Sequence, residues 1–213
     1  MSTDSHTCLL PFSITNNSLG AEGAKYLAEA LNVNSSMTFL EISSNNLTQG
    51  KEIGYKTYET DTTGIHAIAD ALSVSTSMNK IKVHKCELPI DVLKTGVEVD
   101  LSGQDLLVED AIIIAACINV SSSMNKLKIN ECELPIHDLK NGTEVDLRSQ
   151  GLQVEDALII AECIKFSSSM NKLNLASNNL GRKVVNGDWV VDITGVKAIA
   201  DALSVSSSMT SLE

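Results

Sequence analysis

Short runs of alternating apolar and polar residues recur along the chain. Each is followed by a small polar residue three places on and an apolar residue two places later. The positions are Phe12, Ile14, Asn17, Leu19, then Leu40, Ile42, Asn45, Leu47, then Ile81, Val83, Cys86, Leu88 and Val99, Leu101, Gln104, Leu106. They continue as Leu127, Ile129, Cys132, Leu134, then Val145, Leu147, Gln150, Leu152, then Leu173, Leu175, Asn178, Leu180, with an eighth run opening at Met209 and Leu212. Alternation with a period of two predicts a strand with one buried face. After most runs the period changes: Gly23, Ala24, Leu27, Ala28, Leu31 is matched by Gly64, Ile65, Ile68, Ala69, Leu72 and by Gly195, Val196, Ile199, Ala200, Leu203. That spacing predicts a helix with one apolar face. Segments 108–119 and 154–165 carry the same pattern with Asp110 and Asp156 at the glycine position, acids in a first turn where the helix dipole favours them.

Repetition also holds on a longer scale. A Ser-Ser-Met or Thr-Ser-Met tag ends at Met37, Met78, Met124, Met170 and Met209, and the two steps from Met78 to Met170 are 46 residues each. The blocks between these tags are near copies: Cys86-Glu87-Leu88-Pro89-Ile90 answers Cys132-Glu133-Leu134-Pro135-Ile136, and Val108-Glu109-Asp110-Ala111 answers Val154-Glu155-Asp156-Ala157. Two repeats are short, 18 residues from Ile81 to Val99 and from Leu127 to Val145, which leaves room for a tight turn or a single helical turn. Two are long, with insertions at 48–62 and 181–193 where Leu19 reaches Gly23 in four residues. The serine tags always fall between helix and strand, so they read as turns before they read as phosphorylation sites.

The run Asn17-Ser18-Leu19-Gly20-Ala21-Glu22-Gly23-Ala24, then Leu27-Ala28-Glu29-Ala30-Leu31, then Asn34-Ser35-Ser36-Met37-Thr38-Phe39-Leu40 resembles the leucine-rich repeats of ribonuclease inhibitor and of the sensor domains of NOD-like receptors. The resemblance implies an α/β leucine-rich-repeat solenoid. This would be a horseshoe with a parallel inner sheet and outer helices, about seven to eight repeats in one domain over 1–213. The chain stops at Glu213 inside the eighth run with no polar capping repeat, so truncation at the C-terminus is expected. Such scaffolds host many roles. The resemblance implies a protein-interaction module or, as the alternative, a sensor or structural segment of a larger receptor or GTPase-regulating protein. No residues of a GTPase-activating site align here, and none are transferred.

Composition narrows the partners. The net charge is −11, which disfavours nucleic acid and anionic membranes, since both call for a Lys/Arg excess. The N-terminus lacks the pattern of a secretory signal, and the longest apolar run, residues 111–118, is too short to span a bilayer. Five cysteines, an odd number, fit a reducing, cytoplasmic setting and five free thiols. Asn17, Asn45, Cys86, Gln104, Cys132, Gln150 and Asn178 form a structural ladder whose side chains can bond backbone groups of their own and adjacent turns. Cys86 and Cys132 would lie roughly 10 Å apart across one intervening strand, too far to share a zinc or a disulfide. Cys117 and Cys163 replace alanines of the helix pattern, as packing residues. The four histidines have no metal spacing, His66 falls at an exposed helix position, and no nucleophile elbow or phosphate loop is present. No enzyme activity, cofactor, metal or small-molecule substrate is expected.

Two surfaces remain. Lys82, Asp100, Lys128 and Asp146 occupy the outward strand position in successive repeats, and their alternating signs predict a self-satisfied charge lattice on the concave face. The second insertion, Lys183 to Val191, reads as a hairpin around Asn186-Gly187, and the first is similar with a weaker turn. Together they hold Tyr55, Tyr58 and Trp189, three of seven aromatics. Tyr55, Tyr58, Lys183, Asp188 and Trp189 are therefore the candidate partner-binding residues. Trp189 has two readings, a partner anchor or a ring packed back on its own body. Both hairpins leave one rim, five strand spacings or roughly 24 Å apart, flanking a saddle for a folded protein.

Overall fold

A computed structural model describes residues 12–54, 57–185 and 188–212. In chain order it runs β1 (Phe12–Ser13), α1 (Gly20–Val33), β2 (Phe39–Glu41), β3 (Gln49–Gly54), β4 (Thr57–Thr60), α2 (Thr63–Val74), β5 (Lys80–Lys82), β6 (Glu87–Pro89), α3 (Ile90–Thr95), β7 (Glu98–Leu101) and α4 (Val108–Val120). It continues with β8 (Lys126–Ile129), β9 (Cys132–Leu134), α5 (Ile136–Asn141), β10 (Glu144–Asp146), α6 (Val154–Lys165), β11 (Lys172–Asn174), β12 (Arg182–Val185), β13 (Asp188–Val191), α7 (Thr194–Val205) and β14 (Ser211–Leu212). None of these helices is long and apolar enough to cross a membrane.

The repeated strands and helices form where the periodicity places them. Leu40, Ile42, Ile81, Val83, Leu127, Ile129, Leu173 and Leu175 are buried, and so are Ile65, Ile68, Leu72, Ile113, Ile160 and Ile199 on the helices. Helices α1, α2, α4, α6 and α7 pack in that order. Two glycines set how closely they approach. A Cβ on Gly64 would lie 2.2 Å from the Ala21 carbonyl oxygen, and one on Gly195 would lie 2.8 Å from the Ala157 Cβ. The serine tags are turns: the Ser75, Ser121, Ser167 and Ser206 hydroxyls each accept the N–H of the methionine three residues on, and the Asn34 side chain does the same for Met37.

The expectation of one continuous parallel inner sheet, and with it the horseshoe solenoid, is wrong. The repeated strands form mixed and separate sheets: β1-β2-β5-β6, β7-β8-β9 and β10-β11-β14. Pairing is parallel between repeats, as in Leu40 with Ile81, but β5/β6 and β8/β9 are antiparallel. The cause lies in the short repeats. Only four residues separate Lys82 from Glu87, whereas a parallel return needs a crossover of a dozen or more. The chain therefore doubles back, placing Leu88 against Ile81 and Leu134 against Leu127. Pro89 and Pro135, which lack an N–H, follow at once. The six-residue helices α3 and α5 come next, so the short repeats hold a returning strand as well as the expected short helix.

Candidate interaction surface

Of the ladder residues, Asn45 and Asn178 reach the backbone of two turns each. Asn45 donates from Nδ2 to the Ile14 and Ile42 carbonyls at 2.9 Å and accepts the Asn17 N–H at 2.7 Å. Asn178 donates to Leu147 and Leu175 at 2.8 Å and accepts the N–H groups of Gln150 and Leu152 at 3.1 Å. Each asparagine thus ties two turns together. Asn17 bonds its own turn, Cys86 donates to the Gln104 side chain, and Gln150 is exposed and reaches the Arg148 carbonyl. Cys86, Cys117, Cys132 and Cys163 are buried free thiols. Burial pushes Cys86, Cys117 and Cys163 up to about 12 and Cys132 to about 11. Cys8 lies outside the described residues. Among the described residues no cluster of His, Cys, Asp or Glu suits a metal ion.

The strand-face charges are paired, in a different lattice from the expected one. Lys128 meets Asp100 at 3.5 Å, Lys82 meets Glu41 at 3.0 Å, and Asp146 meets Arg148 at 2.6 Å. Asp146 does not flank Lys128, because β9 occupies that side and sets Glu133 opposite it. The hairpin returns supply further pairs, Lys80–Glu87 at 2.7 Å and Lys126–Glu133 at 2.8 Å. A hydrogen bond from Ser102 holds the Asp100 carboxyl below its usual range, and one from Arg148 does so for Asp146.

Both insertions are hairpins between a strand and the next helix. The first is irregular: Gln49 pairs Thr60, Glu52 pairs Tyr58 and Gly54 pairs Thr57, with register shifts between them. At its root the Thr48 hydroxyl donates to Glu109 at the start of α4, 3.0 Å away. Tyr55 lies outside the described residues, and Tyr58 is placed on β4. The second is regular, pairing Arg182 with Val191, Lys183 with Val190, Val184 with Trp189 and Val185 with Asp188. Every residue of β13 is exposed. Trp189 is 54% exposed, and Val190, Val191, Ile193 and Val196 are exposed beside it. The Arg182 guanidinium stands over the indole, 4.9 Å from its centroid, and its Nε donates to Asn179 at 3.3 Å. Sequence reasoning missed this stack. The signal was present: a two-residue turn at Asn186-Gly187 sets Arg182 diagonally across from Trp189.

The spacing of the two hairpins also needs correcting. Strands β6 and β9 intervene between β2 and β11, so five strand spacings do not measure the gap. On the helix side α2 and α7 are three steps apart across α4 and α6, about 24–30 Å. The rim between them is formed by short connections into α4 and α6, each closed by a buried aspartate. Asp110 Oδ2 accepts the Leu107 N–H at 2.9 Å and Asp156 Oδ2 accepts the Gln153 N–H at 2.7 Å. Among the described residues the two Oδ1 atoms are buried without a hydrogen-bond partner. Burial raises both carboxyls to about 6, with Glu155 adding to each shift. On the helix layer a groove of about 710 Å³ runs between α2 and α7, floored by Ile112, Ala115, Leu158 and Ala161.

No protein-family model matches this chain, and no curated protein matches it either.

Proposed function

We propose that this chain is a non-catalytic protein-interaction module, cytoplasmic, that meets a protein partner on the rim carrying the two insertions. The observation that carries the reading is Trp189, 54% exposed on a strand with no buried residue. Large aromatics and arginine are the residues that anchor interfaces, and an indole packed back on its own body would be hidden. A net charge of −11 argues against nucleic acid and anionic lipid as the partner. Five cysteines, an odd number, suit a reducing compartment. Kinship with leucine-rich repeats belongs to this proposal as a likeness of repeat sequence. The test trims each insertion to a four-residue connection and compares capture from cell extract. Loss of a partner with the fold retained supports the rim; if both trimmed chains keep every partner of the parent, the rim is not the site.

A further inference from the structure

The β12–β13 hairpin has an edge that nothing in the described chain covers. The bond from the Asp192 N–H to the Gly181 carbonyl, 3.0 Å, fixes the alternation of this antiparallel ladder, which makes Lys183–Val190 and Val185–Asp188 its other hydrogen-bonded pairs. Trp189 and Val191 therefore turn their N–H and C=O groups away from β12, and among the described residues these groups find no backbone partner. Two-stranded hairpins are marginal by themselves, and open apolar edges template pairing unless they are blunted. The β3–β4 hairpin is blunted by its register shifts. The β12–β13 hairpin has neither bulge nor proline, and its edge strand reads Asp-Trp-Val-Val.

We infer that this edge pairs with the same edge of a second copy of the chain, antiparallel about a twofold axis at Val190. The inference rests on the reading of this hairpin as an interaction surface and names its occupant. Setting Trp189 of one copy opposite Val191 of the other closes four main-chain hydrogen bonds and builds a four-stranded sheet. One face of that sheet carries Trp189 and Val191 twice over, flanked by the two Arg182 residues. An antiparallel pair of identical strands is self-complementary, as a twofold interface requires. Charge does not oppose pairing at this site. Arg182 makes no ion pair among the described residues, and the stretch 182–192 carries two basic and two acidic residues, so it is locally neutral in a chain of net charge −11. The apolar patch of Trp189, Val190, Val191, Ile193 and Val196 is on the order of a few hundred Å², below the ~800 Å² per partner of a standard interface. The dimer is therefore weak and transient, and it tightens with salt because the two copies repel.

Sedimentation velocity over a concentration series, at low and moderate salt, tests this on the full chain. Val191→Pro removes only an outward N–H, so the hairpin keeps its own ladder. Val191→Lys charges the edge and serves as a second probe if the proline disturbs folding. The expected result is a concentration-dependent dimer in the parent and at least a tenfold weaker one in each variant, with unchanged far-ultraviolet circular dichroism. A monomer at all concentrations, or a dimer indifferent to both substitutions, overturns the inference. A monomer whose partner capture still depends on the second insertion overturns the pairing while leaving the interaction reading intact.

Discussion

Lys94 and Lys140 hold the same place in the two copies of the duplicated block, and Arg182 stands in the second insertion. Lys94 reaches the Leu72 carbonyl at the end of α2, 3.0 Å away, and that of Ser75 beyond it. Lys140 reaches the carbonyls of Ile118, Asn119 and Ser121 at the end of α4, at 3.1, 3.1 and 2.6 Å. Each closes a helix whose last carbonyls have no partner within it. Arg182 closes nothing: it lies on an exposed indole and touches one asparagine. The same contrast holds for apolar groups. The block buries Leu88, Ile90, Leu134 and Ile136, while the hairpin leaves Trp189, Val190 and Val191 in water. A region whose lysines and most of whose large apolar groups are satisfied internally, as in the block, is structural. One that leaves both kinds open is where a partner adds something.

The largest test of this contrast is pH. Asp110 and Asp156 are raised from 3.8 to about 6, so the folded state binds protons more tightly than the unfolded chain. Stability is then highest below pH 4 with respect to these groups and falls as pH rises from about 4 to 6, by up to about 3 kcal/mol for each. The positive end of the helix dipole reduces this. Urea titrations at pH 4.5 and 7 measure it. Asp110→Asn, which keeps the acceptor for Leu107, should flatten the slope, and an unchanged slope would remove the buried charge from the account.

Next in size is Lys140→Ala, expected to cost about 2 kcal/mol by leaving the carbonyls of Ile118, Asn119 and Ser121 without their charged donor. Thermal unfolding reports it, and a loss near zero would mean that water replaces the ammonium. Lys128→Glu should act more weakly, because it sets three acids side by side at Asp100, 128 and Glu133 on an exposed face. A fall in melting temperature of about 1–3 °C at low salt that fades in salt is expected. Smallest of all, Trp189→Ala should change stability by less than about 0.5 kcal/mol. A loss of 2 kcal/mol or more would show that the indole packs on its own body.

The repeated strands and helices α1, α2 and α7 were legible because one side of each is buried, which writes its period into the sequence, whereas α4 and α6 are buried nearly all round and were legible only by their match to the repeat. The ladder role of Asn45 and Asn178 followed from position alone. The sheet order was not legible. Leu88 and Leu134 fall in step with Leu19 and Leu47, and nothing in the pattern says that four residues after Lys82 force an antiparallel return. The charge lattice differs in part for the same reason: Lys128 meets Asp100, but its other neighbour is Glu133 in place of Asp146 because β9 intervenes. In the second insertion the Asn-Gly pair in the sequence predicts the register that sets Val185 opposite Asp188. Whether Trp189 faced water or core depended on the rest of the body, which local pattern does not encode.

The most direct measurement uses Trp189 as its own reporter, because it is the only tryptophan in the chain. In dilute solution its emission should lie near that of free tryptophan in water and be readily quenched by acrylamide. Adding a captured partner, or raising the concentration, should shift it to shorter wavelength and shield it. A blue-shifted, quencher-resistant emission already present in the dilute monomer would contradict the account, because the indole would then be part of the chain's own core.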